Sequence, residues 1–225
     1  MLKGALTMYT CPYFMPNPYG YRVDSGISFG RLLHASPDAP PVDVYLDNKL
    51  IARNVQYREF TQYLPVISGN YKLKIYPTGN TTTPVINIDL DVPVAKIFTI
   101  AVVGKLPTLS LLPIPEPALP MLPGKTYLRF IHLSPNAPKV NVKLPTGSTL
   151  FKDVEFKEYT NYTPVNPGNY TFLVTPTTSN TPVLTVPNIR LRPNKFYSIY
   201  VVGLVNEKPP LQALIPLDGN TYIKI

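Results

Sequence analysis

Three residues that could do chemistry stand close together early in the chain, His34, Ser36 and Asp38, and the pattern returns further along as His132, Ser134 and Asn136. A nucleophilic serine needs an imidazole as base, an acid to orient that base, and donors for the developing oxyanion. His34 and Ser36 share one face of a strand. The acid is not kept in the second copy, however, and nothing nearby supplies an oxyanion hole. The arrangement reads as turn chemistry, so the chain is read as a non-enzyme. Zinc needs several ligands converging on one point, whereas this chain has two widely separated histidines and one cysteine. Calcium could draw on Asp38, Asp43 and Asp47, but Asn136, Asn141 and Pro145 stand at those places in the second copy. At most one copy would bind, and weakly. Glu155 and Glu158 lie in a charged segment among lysines, and no Gly-rich phosphate loop is present. No cofactor and no metal are expected.

The same residues are instead assigned to a structural turn: Arg31, His34, Ser36 and Asp38 in the first copy, Arg129, His132, Ser134 and Asn136 in the second. Pro37 and Pro40 fix φ and remove donors, and Asp38 or Asn136 can bond back to nearby backbone in an Asx-type turn. The two imidazoles are expected to hydrogen-bond turn backbone, with a ligand or pH-sensing role as the alternative.

The elements that must position these residues come as a duplicated set. Arg31-Leu-Leu-His-Ala-Ser-Pro-Asp-Ala-Pro40 returns as Arg129-Phe-Ile-His-Leu-Ser-Pro-Asn-Ala-Pro138, Tyr63-Leu-Pro-Val as Tyr162-Thr-Pro-Val, and Lys96-Ile-Phe-Thr-Ile-Ala-Val-Val-Gly104 as Lys195-Phe-Tyr-Ser-Ile-Tyr-Val-Val-Gly203. Each copy needs about 85 to 90 residues, enough for a core of its own. Within a copy the apolar period is two, the mark of half-buried strands. Val42, Val44 and Leu46 should face inward with Asp43 and Tyr45 outward, and Ile86, Ile88 and Leu90 should form another inner stripe. The strand ending at Gly104 is apolar on both faces, which predicts a central position. Punctuation by Pro, Gly and Asn gives about seven short strands per copy. The fold class is therefore all-β, two tandem immunoglobulin-like antiparallel β-sandwich domains behind an extended N-terminal arm.

The expected boundaries are 1–27 for the arm, 28–115 for the first sandwich, 116–126 for a Pro-rich linker, 127–218 for the second sandwich and 219–225 for a C-terminal tail strand. Tyr9, Tyr13, Phe14, Tyr19 and Tyr21 alternate in the arm with Pro and Gly, which favours extended chain over a regular ladder. It reads either as a docking tail with those aromatics as anchors or as a passive leader. Leu119, Met121 and Leu122 of the stiff linker are expected between the domains.

Composition narrows the partners. Lys and Arg give a formal charge of +8 but are scattered singly instead of forming a basic run, which argues against nucleic acid. No apolar stretch reaches the roughly 18–20 residues of a membrane helix, so no membrane span is expected. The single cysteine, Cys11, excludes an internal disulfide. It is either an unpaired thiol or a cross-link between subunits. The first ten residues make a poor signal peptide, so synthesis in the cytoplasm is expected, with the cell or spore surface as destination.

The His-Ala-Ser-Pro-Asp-Ala-Pro run followed by Val-Asp-Val resembles the hallmark of a bacterial and archaeal family of domains of unknown function, over roughly residues 29–115 and 127–217. The second copy departs from it at Asn136 and Asn141. The resemblance implies an immunoglobulin-like sandwich on secreted or cell-surface proteins, commonly in tandem, with no established catalytic activity. Taken together, these readings lead to a structural protein of a bacterial surface layer, spore coat or fibre. It would form a homo-oligomer or polymer, with other coat or surface-layer proteins as partners, through its arm and strand edges. The alternative is a cell-surface or cell-wall adhesion module that recognises a carbohydrate or protein through sandwich-end loops such as Thr81-Thr-Thr83 and Thr177-Thr-Ser-Asn180.

Overall fold

The computed structural model describes residues 26–225. The proposed anchors Tyr9, Cys11, Tyr13, Phe14, Tyr19 and Tyr21 lie outside the described residues. The first half runs β1 (Ile27–His34), β2 (Val42–Leu46), β3 (Lys49–Val55), β4 (Leu64–Ile67), β5 (Gly69–Pro77), β6 (Ile86–Val92), β7 (Ile97–Val103) and β8 (Ser110–Pro115). The second repeats it as β9 (Thr126–His132), β10 (Val140–Lys143), β11 (Thr149–Val154), β12 (Thr163–Val165), β13 (Gly168–Pro176), β14 (Leu184–Leu191), β15 (Phe196–Val202) and β16 (Gln212–Leu214). Each half is an immunoglobulin-like sandwich with eight strands instead of the seven expected. The additional pairing comes from short edge strands whose Pro-containing sequences hide the period-two pattern.

Two four-stranded sheets make each sandwich, ordered β4-β1-β7-β8 and β3-β2-β5-β6 in the first, β12-β9-β15-β16 and β11-β10-β13-β14 in the second. The ladders are antiparallel except that β1 runs parallel to β7 and β9 parallel to β15. Gly104 and Gly203 end the central strands at φ +98° and +91°, and a Cβ at Gly104 would sit 2.8 Å from the Thr108 carbonyl oxygen. Only glycine suits that turn.

Every residue of β7, β9 and β15 is buried. The reason is that these strands face two cores. Leu32 and Val102 point into the first sandwich and Phe130, Ile199 and Val201 into the second. Their neighbours Leu33, Ala101, Val103, Ile131, Leu133, Tyr200 and Val202 meet in a third apolar cluster between the halves. The molecule is thus a stack of four sheets, with the β1/β7 and β9/β15 sheets face to face at its centre.

Several expectations need correction. Leu119 and Leu122 of the linker are exposed, and Met121 packs onto Tyr127, Tyr162 and Phe196; sheet faces join the halves, and of the linker Glu116 and Pro117 at its start make contacts across. Ile88 is exposed because β6 is an edge strand. Asp43 is buried, since its carboxylate accepts hydrogen bonds from Asn54 N, Thr78 Oγ1 and Gly79 N and pins the end of β3 and the loop after β5 to β2. The tail is not a strand: Gly219–Thr221 form a single 3₁₀ turn, and Gly219 lies against Tyr63 and Ile97 of the first half.

Candidate functional site

Charged side chains rarely enter a protein interior unpaired, yet Arg31, Glu116, Arg129 and Asp218 are all buried where the halves meet. The duplication puts them there. β1 and β9 place the two arginines, β7 and β15 place hydroxyls at Thr99 and Ser198, and Tyr63 and Tyr162 enter just before β4 and β12. The carboxylates Glu116 and Asp218 follow the last strand of each half.

Both halves then build the same relay. Arg31 Nε donates to Thr99 Oγ1 at 2.8 Å, and Thr99 Oγ1 donates to Glu116 Oε1 at 2.7 Å. Tyr63 Oη also donates to Glu116, at 2.7 Å, while the Arg31 guanidinium lies 4.6 Å over the Tyr63 ring. In the second half Arg129 Nε donates to Ser198 Oγ at 2.6 Å, and Ser198 Oγ to Asp218 Oδ2. Tyr162 Oη donates to Asp218 Oδ2 at 2.5 Å, and Arg129 lies 4.5 Å over the Tyr162 ring.

The relays are cross-linked. Arg31 Nη2 donates to Asp218 Oδ1 at 3.0 Å and its Nη1 to the Leu217 carbonyl at 3.2 Å. Arg129 Nη1 reciprocates by donating to the Pro115 carbonyl at 2.5 Å. Gly219 N donates to Glu116 Oε2 at 2.6 Å, and Asn220 Nδ2 to the Pro117 carbonyl at 3.0 Å. Arg129 Nη2, 3.5 Å from Asp218 Oδ2, pairs by charge alone.

Two guanidiniums and two carboxylates balance, and the field follows from that. Burial works against the charge on Arg31, but Tyr200, Tyr63, Glu116 and Asp218 outweigh it and raise its pKa. Burial raises Glu116, and Asp218 adds to the rise, against the pull of Arg31 and the Thr99 and Tyr63 donors. Tyr63 and Tyr162 are pushed up by burial and their carboxylate neighbours, so both phenols stay protonated donors. Each carboxylate oxygen already accepts from the protein. The cluster acts as a clamp between halves.

The structure separates the residues singled out from sequence. Arg31 and Arg129 belong to this clamp, not to the turn. His34 Nε2 lies 3.0 Å from the Pro40 carbonyl and His132 Nε2 lies 3.2 Å from that of Pro138, so each imidazole closes its own proline turn. Burial lowers the pKa of both, against those carbonyl bonds. Ser36 Oγ donates to Asp38 Oδ1 at 3.2 Å, and Asp38 accepts from Leu106 N. Ser134 Oγ donates to the Gly203 carbonyl at 2.6 Å, and Asn136 Oδ1 accepts from Val205 N. Asp38 and Asp43 each anchor a different loop while Asp47 accepts from Lys72 N of β5, and among the described residues no His/Cys/Asp/Glu group has the arrangement of a metal site.

Sequence reasoning missed Glu116, Asp218, Tyr63, Tyr162, Thr99 and Ser198 as one site. The one local signal was a hydroxyl repeated between apolar neighbours in both copies, Thr99 between Phe98 and Ile100 and Ser198 between Tyr197 and Ile199.

With the geometry in place, comparison decides the kinship. The chain matches the family described as "Domain of unknown function (DUF4397)" over residues 29–143 and 145–221. The chain belongs to that family. The first DUF4397 segment runs through the linker into β10, so its limits do not coincide with those of the sandwiches. No curated protein matches. Among solved structures the chain is similar to "The Bacillus anthracis TIE protein" at 12% identity and a TM-score of 0.25, covering 80% of this chain and 34% of that one. The DUF4397 chain thus spans about a third of that protein's length.

Proposed function

We propose that this DUF4397 chain is a non-enzymatic structural module of a bacterial cell or spore surface, in a layer, coat or fibre. It self-associates through its N-terminal arm and its sheet edges. One observation carries the reading: four buried charged groups, Arg31, Glu116, Arg129 and Asp218, are used to join two sandwiches into one four-sheet block. Stiffness is what a subunit of a layer needs, and a segment rich in tyrosine provides contact area at low side-chain entropic cost.

The edges support the same reading. The outer edge strands β3 and β6 expose Leu50 and Ile88 at 40% and 39%, the kind of strand to which another chain can add. Across β5 and β6, Lys72 pairs with Asp89 at 2.5 Å, placing charge beside Ile88 and limiting indiscriminate pairing.

The test compares the full chain with one starting at Gly26, by sedimentation velocity and electron microscopy over a range of concentrations. The full chain is expected to form oligomers or filaments, and the shortened chain to remain monomeric with the same circular dichroism. Equal assembly by the two, or a full chain that stays monomeric throughout, would overturn the proposal.

A further inference from the structure

The second sandwich fills its core with Leu128, Phe130, Phe151 and Phe172, all buried. Strand register identifies their counterparts in the first. Gly30 stands opposite Phe98 as Leu128 stands opposite Tyr197, and Leu32 opposite Ile100 as Phe130 opposite Ile199. Ala52 faces Val44 as Phe151 faces Val142. Ile75 and Val174 likewise pair with Val44 and Val142, which sets Leu73 at the place of Phe172. Three rings and a leucine side chain are therefore missing from the first core.

Phe98 covers the place of Leu128, since a Cβ at Gly30 would meet its ring at 2.8 Å, but only Leu32, Ala52 and Leu73 stand where the three rings would be. The first sandwich has two buried clusters between its sheets, bridged by the half-buried Leu90 and Leu111, where the second has one. Between its sheets lies an apolar slot of about 460 Å³, the size of a small-ligand pocket. Its lips are β3 and β4, where Leu50 and Ile67 are 40% and 45% exposed. Interiors are normally close-packed, and the sister half shows that this fold can close the same space with side chains of its own.

We propose that this slot is the receptor for the aromatic residues of the N-terminal arm, an inference that rests on the arm-docking reading above and names its acceptor. The arm joins the body at the slot's lip: Ile27 is paired with Ile67, and the Gly26 carbonyl accepts from Ser68 N at 2.5 Å. Twenty-five residues precede Gly26 and carry Tyr9, Tyr13, Phe14, Tyr19 and Tyr21. A five-residue stretch reaches up to about 17 Å, more than the roughly 10 Å between packed sheets, so Tyr21 and Tyr19 are within reach of a slot mouth. The arm supplies aromatic rings, of which the first core, with Phe98 and Tyr71, holds fewer than the second.

Residues 26–225 hold both cores and the clamp, so the chain without its arm keeps its folding determinants. The experiment measures binding of a labelled peptide of residues 1–25 to that shortened chain by fluorescence anisotropy. The shortened chain is also prepared with Ala52→Phe and, separately, Leu73→Phe. Both restore a ring that the sister half tolerates, and thermal unfolding checks that each variant is folded. Saturable binding weakened about tenfold or more by either substitution, and by Tyr19→Ser with Tyr21→Ser in the peptide, is expected. Binding unaffected by folded Ala52→Phe and Leu73→Phe would overturn the proposal.

The outcomes separate the two readings. A peptide that fails to bind, while the full chain still assembles through its arm, sinks the slot and leaves the assembly reading. A peptide that binds in the slot, with a full chain that stays monomeric, supports the slot and sinks assembly, because the arm then closes on its own body. Dodecanoate bound by the shortened chain that ignores the peptide overturns the proposal in favour of a free apolar ligand.

Discussion

Arg31 and Asp218 lie 187 residues apart in sequence and meet at 3.0 Å, both nearly excluded from solvent. The contact ties the first strand of the first half to a buried carboxylate beyond the last strand of the second. Its mirror, Arg129 Nη1 on the Pro115 carbonyl at 2.5 Å, ties the second half's first strand to the end of β8. Each half therefore completes the other's polar relay, and the tandem works as one unit.

Removing a single member should be severe, because it strands a buried charge. Arg129→Met leaves Asp218 short of one cation and should cost about 3–5 kcal/mol in urea unfolding. Adding Asp218→Asn to it removes the opposite charge and leaves Arg31 with Glu116, 3.6 Å away. The double variant should lose markedly less than the sum of the singles. Strict additivity would show that the four groups do not act together.

The halves should also unfold together. Separating them exposes Ile131, Leu133, Tyr200 and Val202, which are fully or almost fully buried. Calorimetry is expected to show one transition with matching calorimetric and van't Hoff enthalpies. An isolated second half, residues 127–218, is expected to bind hydrophobic dyes and aggregate. Two resolved transitions in the full chain would contradict this.

The duplicated apolar alternation made the sandwiches legible from sequence, because period two is a local property of strands. It also marked β7 as apolar on both faces. What covered the second face was not legible, since the covering face belongs to the other copy and no local pattern records that distance. The clamp was hidden for the same reason. Arg31 was placed in the turn because His34 and Pro37 are its sequence neighbours, whereas Glu116 and Asp218 become its neighbours only through the fold. Asp43 was read as solvent-facing because alternation says nothing of loops folding back over a strand.

Asp43 and Asn141 offer a comparison within one molecule. Asp43 holds Asn54 N, Thr78 Oγ1 and Gly79 N, and these bonds draw its pKa below the ordinary value although burial pulls the other way. The side chain of Asn141 accepts only from Asp153 N among these equivalents. Asp43→Ala should cost about 1–3 kcal/mol and Asn141→Ala clearly less, both read from urea midpoints. Part of the Asp43 contribution should vanish in acid: its folded pKa is depressed, so the stabilisation is present above about pH 4 and declines as pH falls further.

The histidines set a second, milder acid limit. In each imidazole Nε2 serves a proline-turn carbonyl, which leaves Nδ1 as the atom that must take up a proton. His34 Nδ1 is buried with no acceptor, and His132 Nδ1 accepts from Ser134 N at 3.3 Å, a bond that protonation would break. Burial lowers both folded pKa values below that of the unfolded chain, so the unfolded state binds protons first as pH falls. Stability should be level above about pH 7 and decline below about pH 6.5, with a slope of at most about 1.4 kcal/mol per pH unit for each histidine. Glu158, which favours the charged form of His132, should make that copy the less sensitive. Replacing His34 by Asn keeps a donor toward the Pro40 carbonyl but cannot titrate, so melting temperatures between pH 5 and 8 should fall less steeply than in the unmodified chain. A His34→Asn variant with an unchanged slope would place the acid sensitivity elsewhere.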